Sequence, residues 1–99
     1  MNSKINCDYI NYTFEYGCEI KINNKKRFLL AEKFFIYICN DKGDCNLILP
    51  YFHMIKLNKN ENEKSILITM KNSKKFEFKF HKGYDIDYIY NFVSSKFIQ

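Results

Sequence analysis

The sequence predicts a mainly β domain with a single helix at its carboxy-terminal end, and two patterns carry that prediction. Short segments rich in Ile, Phe, Tyr and Leu alternate with clusters of Asn, Asp, Gly and Lys, so strands and turns follow one another along the chain. After Gly83 the apolar residues change from a two-residue to a 3.6-residue period. Strands followed by one amphipathic helix place the chain in the α+β class.

Length and composition indicate one domain over residues 1–99, with residues 1–10 as a loose amino-terminal segment. The apolar fraction of 46%, including ten Phe and eight Tyr, is enough to form a core. No apolar run approaches the roughly 20 residues that a membrane span needs. Because MNSKINCDYI lacks a cationic stretch followed by an apolar one, no secretory signal is predicted and we expect an intracellular protein.

Seven strands are expected between the polar clusters. Alternation along SILITMK puts Ile66, Ile68 and Met70 on one face, with Leu67 and Thr69 on the other. Alternation along KFEFKF likewise directs its phenylalanines inward and its charges outward. The expected strands are Asn11–Ile22 with a bulge at Gly17, Arg27–Ala31, Phe34–Cys39 buried on both sides, Asn46–Leu49, Phe52–Leu57, Ser65–Lys71 and Lys75–Phe80.

The last segment is predicted to be a helix over about residues 84–97. Its apolar positions Ile86, Ile89, Tyr90, Val93 and Phe97 follow the helical period. Asp85 and Asp87 in the first turn suit the positive end of the helix dipole, and Lys96 suits the last turn. Seven strands followed by one such helix is the element order of the pleckstrin-homology (PH) superfold, a seven-stranded bent antiparallel sandwich or barrel that a carboxy-terminal α-helix caps.

No catalytic or metal-binding constellation is recognisable, so we expect neither an enzyme nor a cofactor. Cys39 or Cys45 with His53 is the nearest nucleophile and base, but no third residue is placed to orient them. The four cysteines contain no CxxC pair, and the two histidines lack zinc-finger spacing. We expect structural free thiols, with disulfides as the alternative.

Basic residues are concentrated in the middle of the chain. Residues 20–82 hold fourteen bases and six acids, and the net charge of the chain is +5. This asymmetry favours an anionic partner, although lysines on a solvated face would give the same pattern. With Arg27 as the one arginine and no nucleic-acid-binding motif, direct sequence-specific binding of nucleic acid is not expected.

Residues 20–97 resemble the amino-terminal PH domain of the sixty-two-kilodalton core subunit of general transcription factor IIH (TFIIH). The resemblance is carried by RFLLAEKFFIY, FHMIKLNKNENEKSILITM, KKFEFKF and the closing SKF. The matching features are a strand ending in Ala31-Glu32-Lys33, an Ile55-Lys56 pair before a basic loop, an alternating strand over residues 66–70, Phe76-Glu77-Phe78, and a helix ending in Lys96-Phe97.

The resemblance implies a nuclear adaptor in transcription initiation and nucleotide excision repair. Domains of this family bind acidic, partly disordered segments of activators, of transcription factor IIE and of a repair factor, and a longer chain would contact other TFIIH subunits. An aromatic residue of the peptide enters a shallow pocket and lysines contact the surrounding acids. Carried over by position, the expected peptide-binding residues are Lys21, Lys25, Lys56, Lys59, Lys64, Leu67, Thr69, Lys74 and Lys75.

This sequence departs from the family at three places. Leu67 and Thr69 stand where glutamines are common, so the resemblance does not carry hydrogen bonding to the peptide backbone over to these two positions. Asp87 falls near a helix position that is lysine in the family and would repel an acidic ligand. The loop NDKGDC at 40–45 is longer than its counterpart and has no assigned role.

Two other functions compete with the adaptor. KINNKKR at 21–27 fits the pattern with which PH domains bind phosphoinositides at membranes, through Lys21, Lys25 and Arg27. A purely structural module that docks inside a larger complex would need no ligand of its own.

Overall fold

The apolar segments of the chain form an antiparallel sheet bent around one core, with the carboxy-terminal helix packed against it. The computed structural model describes residues 5–6 and 14–97. The elements are β1 (Ile5–Asn6), β2 (Phe14–Ile22), β3 (Lys25–Glu32), β4 (Phe35–Cys39), β5 (Asp44–Pro50), a 3-10 helix (Tyr51–His53), β6 (Met54–Asn60), β7 (Ser65–Met70), β8 (Lys75–Phe80) and α1 (Gly83–Phe97). Seven main strands and one terminal helix confirm the predicted fold class, consistent with a PH-like sandwich.

The strand order across the sheet is β1-β5-β4-β3-β2-β8-β7-β6. Neighbours pair antiparallel, and β2 joins the two halves because it pairs with both β3 and β8. Contact between β2 and β8 is short: it consists of the pairs Ile20–Phe80 and Lys21–Lys79. The two halves of the sheet therefore separate beyond these two pairs.

Short polar turns join the strands where the sequence places Asn and Gly. Asn23 and Asn24 both have left-handed backbone angles, with φ of 51° and 65°, as a two-residue hairpin turn requires. Between β4 and β5 the Asn40 side chain accepts hydrogen bonds from the Lys42 and Asp44 amides, and Gly43 has a φ of 88°. Residues 40–43 therefore form a tight turn, and Asp44 and Cys45 already belong to β5.

Alternating residues of β7 and β8 supply much of the core. Ile66, Ile68 and Met70 are buried on one face of β7, and Phe78 and Phe80 are buried on β8. Leu67 and Thr69 are half-buried on the opposite face of β7, while Lys75, Glu77 and Lys79 are exposed on β8. The predicted alternation of both strands is confirmed, because each strand packs one face against the core and leaves the other towards solvent.

Helix α1 covers the core beside β6, β7, β8 and the 3-10 helix. Ile86, Ile89 and Val93 are buried at the spacing that the sequence predicts. Asp85 lies in the first helical turn, as expected, and is buried there, where it accepts a hydrogen bond from the Tyr16 hydroxyl. Since the Tyr16 ring also stacks on Tyr88 with 3.9 Å between centroids, β2 fixes the first turns of the helix.

Several local expectations are wrong. Phe34 lies in the turn before β4 and is 56% exposed, and Phe52 lies in the 3-10 helix and is 62% exposed. The bulge of β2 lies between Phe14 and Tyr16 rather than at Gly17. Of residues 1–10, expected to form a loose segment, the structure describes only Ile5–Asn6, which pair with β5; residues 1–4 and 7–13 lie outside the described part, so that expectation stays a prediction.

The helices of the described part of the chain lack the length and apolarity that crossing a membrane requires.

Candidate functional site

A row of three expected site residues crosses the outer face of β6, β7 and β8. Lys56 lies opposite Thr69, and Thr69 lies opposite Lys75. Residues directly opposite in antiparallel strands point to the same face, with Cβ atoms about 5 Å apart. Both lysines are exposed and Thr69 is half-buried. We call this set (Lys56, Thr69 and Lys75) the lysine row; it presents two positive charges with a small side chain between them.

Leu67 lies on the same outer face, in the next row. It is opposite Asn58 on β6 and Glu77 on β8. A third row places Lys79 opposite Lys21. The half-buried Leu67 therefore has lysines on both sides and one acid, Glu77, beside it.

Two concavities meet at Leu67 and Glu77, which line both of them. The smaller, of about 570 Å³, lies towards the turn after β6. The larger, of about 670 Å³, lies between β8 and the tip of the β2–β3 hairpin, and we call it the β8 groove. Its lining consists of apolar side chains that are half-buried, three lysines, two asparagines and one acid: Ile22, Leu47, Leu67, Phe76, Lys21, Lys75, Lys79, Asn23, Asn24 and Glu77.

The electrostatics of the β8 groove are positive. Lys21 and Lys75 are exposed at its rim, and Lys79 forms a loose ion pair with Glu63, 3.8 Å from Nζ to Oε1. Ile22, Leu47 and Phe76 pack against the core, so its apolar floor is continuous with the protein interior. An apolar side chain flanked by carboxylates would match this arrangement.

Lys59 is on the other side of β6 from the lysine row. It lies opposite Ile66, whose side chain is in the core, and its ammonium contacts α1. Lys59 Nζ is 3.2 Å from Asp87 Oδ1 and 4.9 Å from the centroid of the Tyr90 ring. Alternation places Lys59 and Lys56 on opposite sides of β6, although Lys59 still lines the smaller concavity beside Leu67.

Three further expected lysines lie in or beside turns. Lys64 ends the turn before β7 with a φ of 52°, and Lys74 directly precedes β8. Lys25 begins β3 opposite Ile22. All three are exposed, so they surround the outer face without belonging to the lysine row.

The three bases of the phosphoinositide alternative are divided between the two faces of the β2–β3 hairpin. Lys21 lies opposite Lys26, whereas Lys25 and Arg27 lie opposite Ile22 and Ile20 on the core side. The Arg27 guanidinium donates a hydrogen bond to the Lys26 carbonyl at 2.7 Å. The hairpin therefore does not direct these three bases to one point.

The two candidate cysteine nucleophiles are bonded to each other. Cys39 and Cys45 are buried and joined by a disulfide, so the expectation of free thiols is wrong for this pair. Cys18 is free, and burial, followed by the nearby Asp85 charge, raises the pKa of its thiol to about 12. In the part of the chain that the structure describes, no group of three His, Cys, Asp or Glu side chains is arranged to hold a metal ion.

The structure has an exposed aromatic pair that the sequence pattern does not predict. Phe34 and Phe52 line a concavity of about 270 Å³ together with Tyr51, Lys33 and Lys96. The turn that carries Phe34 is fixed, because its amide donates to Glu32 Oε1 and its carbonyl accepts from the Tyr51 amide. The polar pair Glu32-Lys33 was the available signal that a turn precedes β4.

No protein-family model matches the chain, and no curated protein matches its sequence.

Proposed function

We propose that this chain is a non-enzymatic interaction module that binds acidic, partly disordered peptide segments on the outer face of β6–β8. The observation that best supports this proposal is the lysine row beside the half-buried Leu67, at the edge of the apolar floor of the β8 groove. Ordering a flexible peptide costs conformational entropy, which an anchored apolar side chain and several charge contacts offset. The lysines contribute mainly to the rate of association and to salt sensitivity.

The resemblance to the PH domain of the TFIIH subunit supports the same function and extends it to a cellular role. By that resemblance we propose a nuclear module that recruits acidic segments during transcription initiation and nucleotide excision repair. Two of the positions that differ from the family, Leu67 and Asp87, affect this face. Leu67 makes the face more apolar, and Asp87 neutralises Lys59, so the peptides that bind would be richer in apolar residues.

The test is an NMR titration of the labelled domain with a synthetic acidic peptide that contains one Phe. We expect amide shifts at Lys56, Thr69 and Lys75, and weaker binding as salt screens the charges. Lys56→Glu and Lys75→Glu should each weaken binding about two- to fivefold, since rim charges contribute up to ~1 kcal/mol. Lys33→Glu is the matched control, because it makes the same charge change in the β3–β4 turn.

A parallel titration with an inositol phosphate distinguishes the alternative. Shifts confined to residues 21–27, with no response to the peptide, would replace the adaptor proposal with membrane recruitment. Equal peptide affinity in Lys56→Glu, Lys75→Glu and Lys33→Glu would contradict binding on this face. If neither ligand binds, a purely structural module is the remaining function.

A further inference from the structure

The strand β8 is paired along its whole length on one side only. Its residues Lys75–Lys79 pair with β7. On its other side, within the described residues, β2 pairs only with Lys79 and Phe80. The segment Lys75–Phe78 therefore lies at the β8 groove, and none of the described strands pairs with it on that side.

Two hydrogen bonds show which backbone groups of β8 point into the groove. The Phe80 amide donates to the Lys64 carbonyl and the Met70 amide donates to the Lys74 carbonyl, each at 2.8 Å. Even-numbered residues from 74 to 80 therefore direct their backbone groups towards β7. Because these directions alternate along a strand, Lys75, Glu77 and Lys79 direct theirs the opposite way. Lys79 is paired with Lys21, which leaves the N–H and C=O groups of Lys75 and Glu77 facing the groove.

The groove beside this free edge has the side chains to select an occupant. Leu47, Leu67 and Phe76 give it an apolar floor, and Lys21, Lys75 and Lys79 surround it. Glu77 is the one acid among its lining residues. An extended segment lying here would meet backbone donors and acceptors on one side and net positive charge around it.

We propose that β8 accepts an extended acidic segment of a partner protein as an added strand, hydrogen-bonded to the backbone of Lys75 and Glu77. Alternate side chains of the added strand would face the apolar floor, and its carboxylates would contact the surrounding lysines. Strand addition to an unpaired edge takes its affinity from main-chain hydrogen bonds and its specificity from side-chain pockets. The acidic character of the occupant rests on the proposed function, whereas the free edge is independent of it.

Proline substitution at residue 77 tests the added strand directly. Glu77→Pro removes the N–H that faces the groove and leaves the bonds to β7, which even-numbered residues make, so the fold should tolerate it. Glu77→Ala is the matched control, because it removes the same carboxylate and keeps the N–H. We expect Glu77→Ala to bind the acidic peptide as tightly as the unchanged protein or more tightly. Glu77→Pro should bind about tenfold more weakly than Glu77→Ala, because it loses a hydrogen bond and places a ring at the edge.

Amide hydrogen exchange on the unsubstituted protein supplies a second measurement that needs no variant to fold. Saturating peptide should slow exchange at Lys75 and Glu77 about tenfold or more, as new hydrogen bonds protect them. Phe76 and Phe78, already bonded to β7, should change little.

The outcomes separate this inference from the proposed function. Equal affinity of Glu77→Pro and Glu77→Ala, with no new protection at Lys75 and Glu77, would overturn strand addition. If Lys56→Glu still weakened binding in that case, the lysine face would remain the peptide site. No binding of the peptide at all would overturn both. A last outcome is that the protein binds phosphoinositide vesicles and not the peptide. If Lys21→Glu abolished that vesicle binding and Glu77→Pro did not, the groove would be assigned to lipid.

Discussion

Lys59 on β6 and Asp87 on α1 form an ion pair, with 3.2 Å between Nζ and Oδ1. The same ammonium lies 4.9 Å from the centroid of the Tyr90 ring. A lysine that the sequence assigns to peptide binding is thus occupied by an acid of the protein itself. Under the proposed function, an acidic ligand would compete with Asp87 for Lys59.

Asp87→Asn should tighten binding of the acidic peptide. The substitution frees the Lys59 ammonium and removes a repelling charge, and exposed ion pairs of up to ~1 kcal/mol correspond to about a two- to fivefold change in Kd. Fluorescence anisotropy at low and physiological salt measures it. Glu15→Gln removes one exposed negative charge at the start of β2 and serves as the control. An unchanged Kd in Asp87→Asn would show that Lys59 takes no part in binding.

Loss of the Cys39–Cys45 disulfide should destabilise the fold. The bond links residues six apart in sequence, and a loop this short stabilises by about 2 kcal/mol through the entropy of the unfolded chain. Cys39→Ala/Cys45→Ala should therefore lower the midpoint of thermal unfolding, and a reductant should do the same to the unchanged protein. Cys18→Ala is the control, since Cys18 is outside the disulfide. If all four cysteines could be alkylated in denatured protein to which no reductant has been added, the Cys39–Cys45 disulfide would be contradicted.

Cys18 should react slowly with alkylating reagents. Burial raises the pKa of its thiol from the ordinary 9.0 to about 12, so little reactive thiolate exists below that range. In a Cys7→Ser variant, iodoacetamide should modify the folded protein much more slowly at pH 9 than the denatured protein with its disulfide intact. Comparable rates in the two states would contradict the raised pKa.

The same shift has a consequence for stability at high pH. The folded pKa of Cys18 lies above its ordinary value, so its contribution to stability is fully present below pH 9.0 and is lost as the pH rises towards about 12. As the pH rises from 9 to 10.5, the free energy of unfolding should therefore fall less in Cys18→Ala than in the unchanged protein. Denaturant titrations at several pH values measure this difference. Parallel losses in the two proteins would argue against it.

Tyr16→Phe should destabilise the protein by about 1–3 kcal/mol, because it leaves the buried Asp85 carboxyl without its hydrogen-bond donor. The measurement is the free energy of unfolding from a urea titration. Tyr84→Phe removes a hydroxyl from an exposed ring near the same helix end and should change little. If the two variants were equally stable, the Tyr16–Asp85 bond would carry no net free energy.

Strand faces could be predicted where alternation is regular and could not where a bulge interrupts it. The alternation of β7 and β8 is regular, and the sequence predicts which residues are buried. Cys45 lies opposite Cys39 because a register shift after Ile38 moves the partner by one residue. No local pattern marks that shift, so the disulfide could not be predicted. Lys56 and Lys59, three positions apart, could have been assigned to opposite faces of β6 by simple alternation.

The sequence by itself determined the fold class, the position of the helix, the buried face of the last two strands and the excess of positive charge. These properties depend on periodicity and composition, which are local. Only the tertiary structure decided that Lys56 and Lys75 share a row, that Asp87 pairs with Lys59, and that Lys75–Phe78 of β8 lie beside an apolar groove with no second strand among the described residues. Each of these depends on register between strands or on how the helix packs, and such contacts join residues distant in the chain.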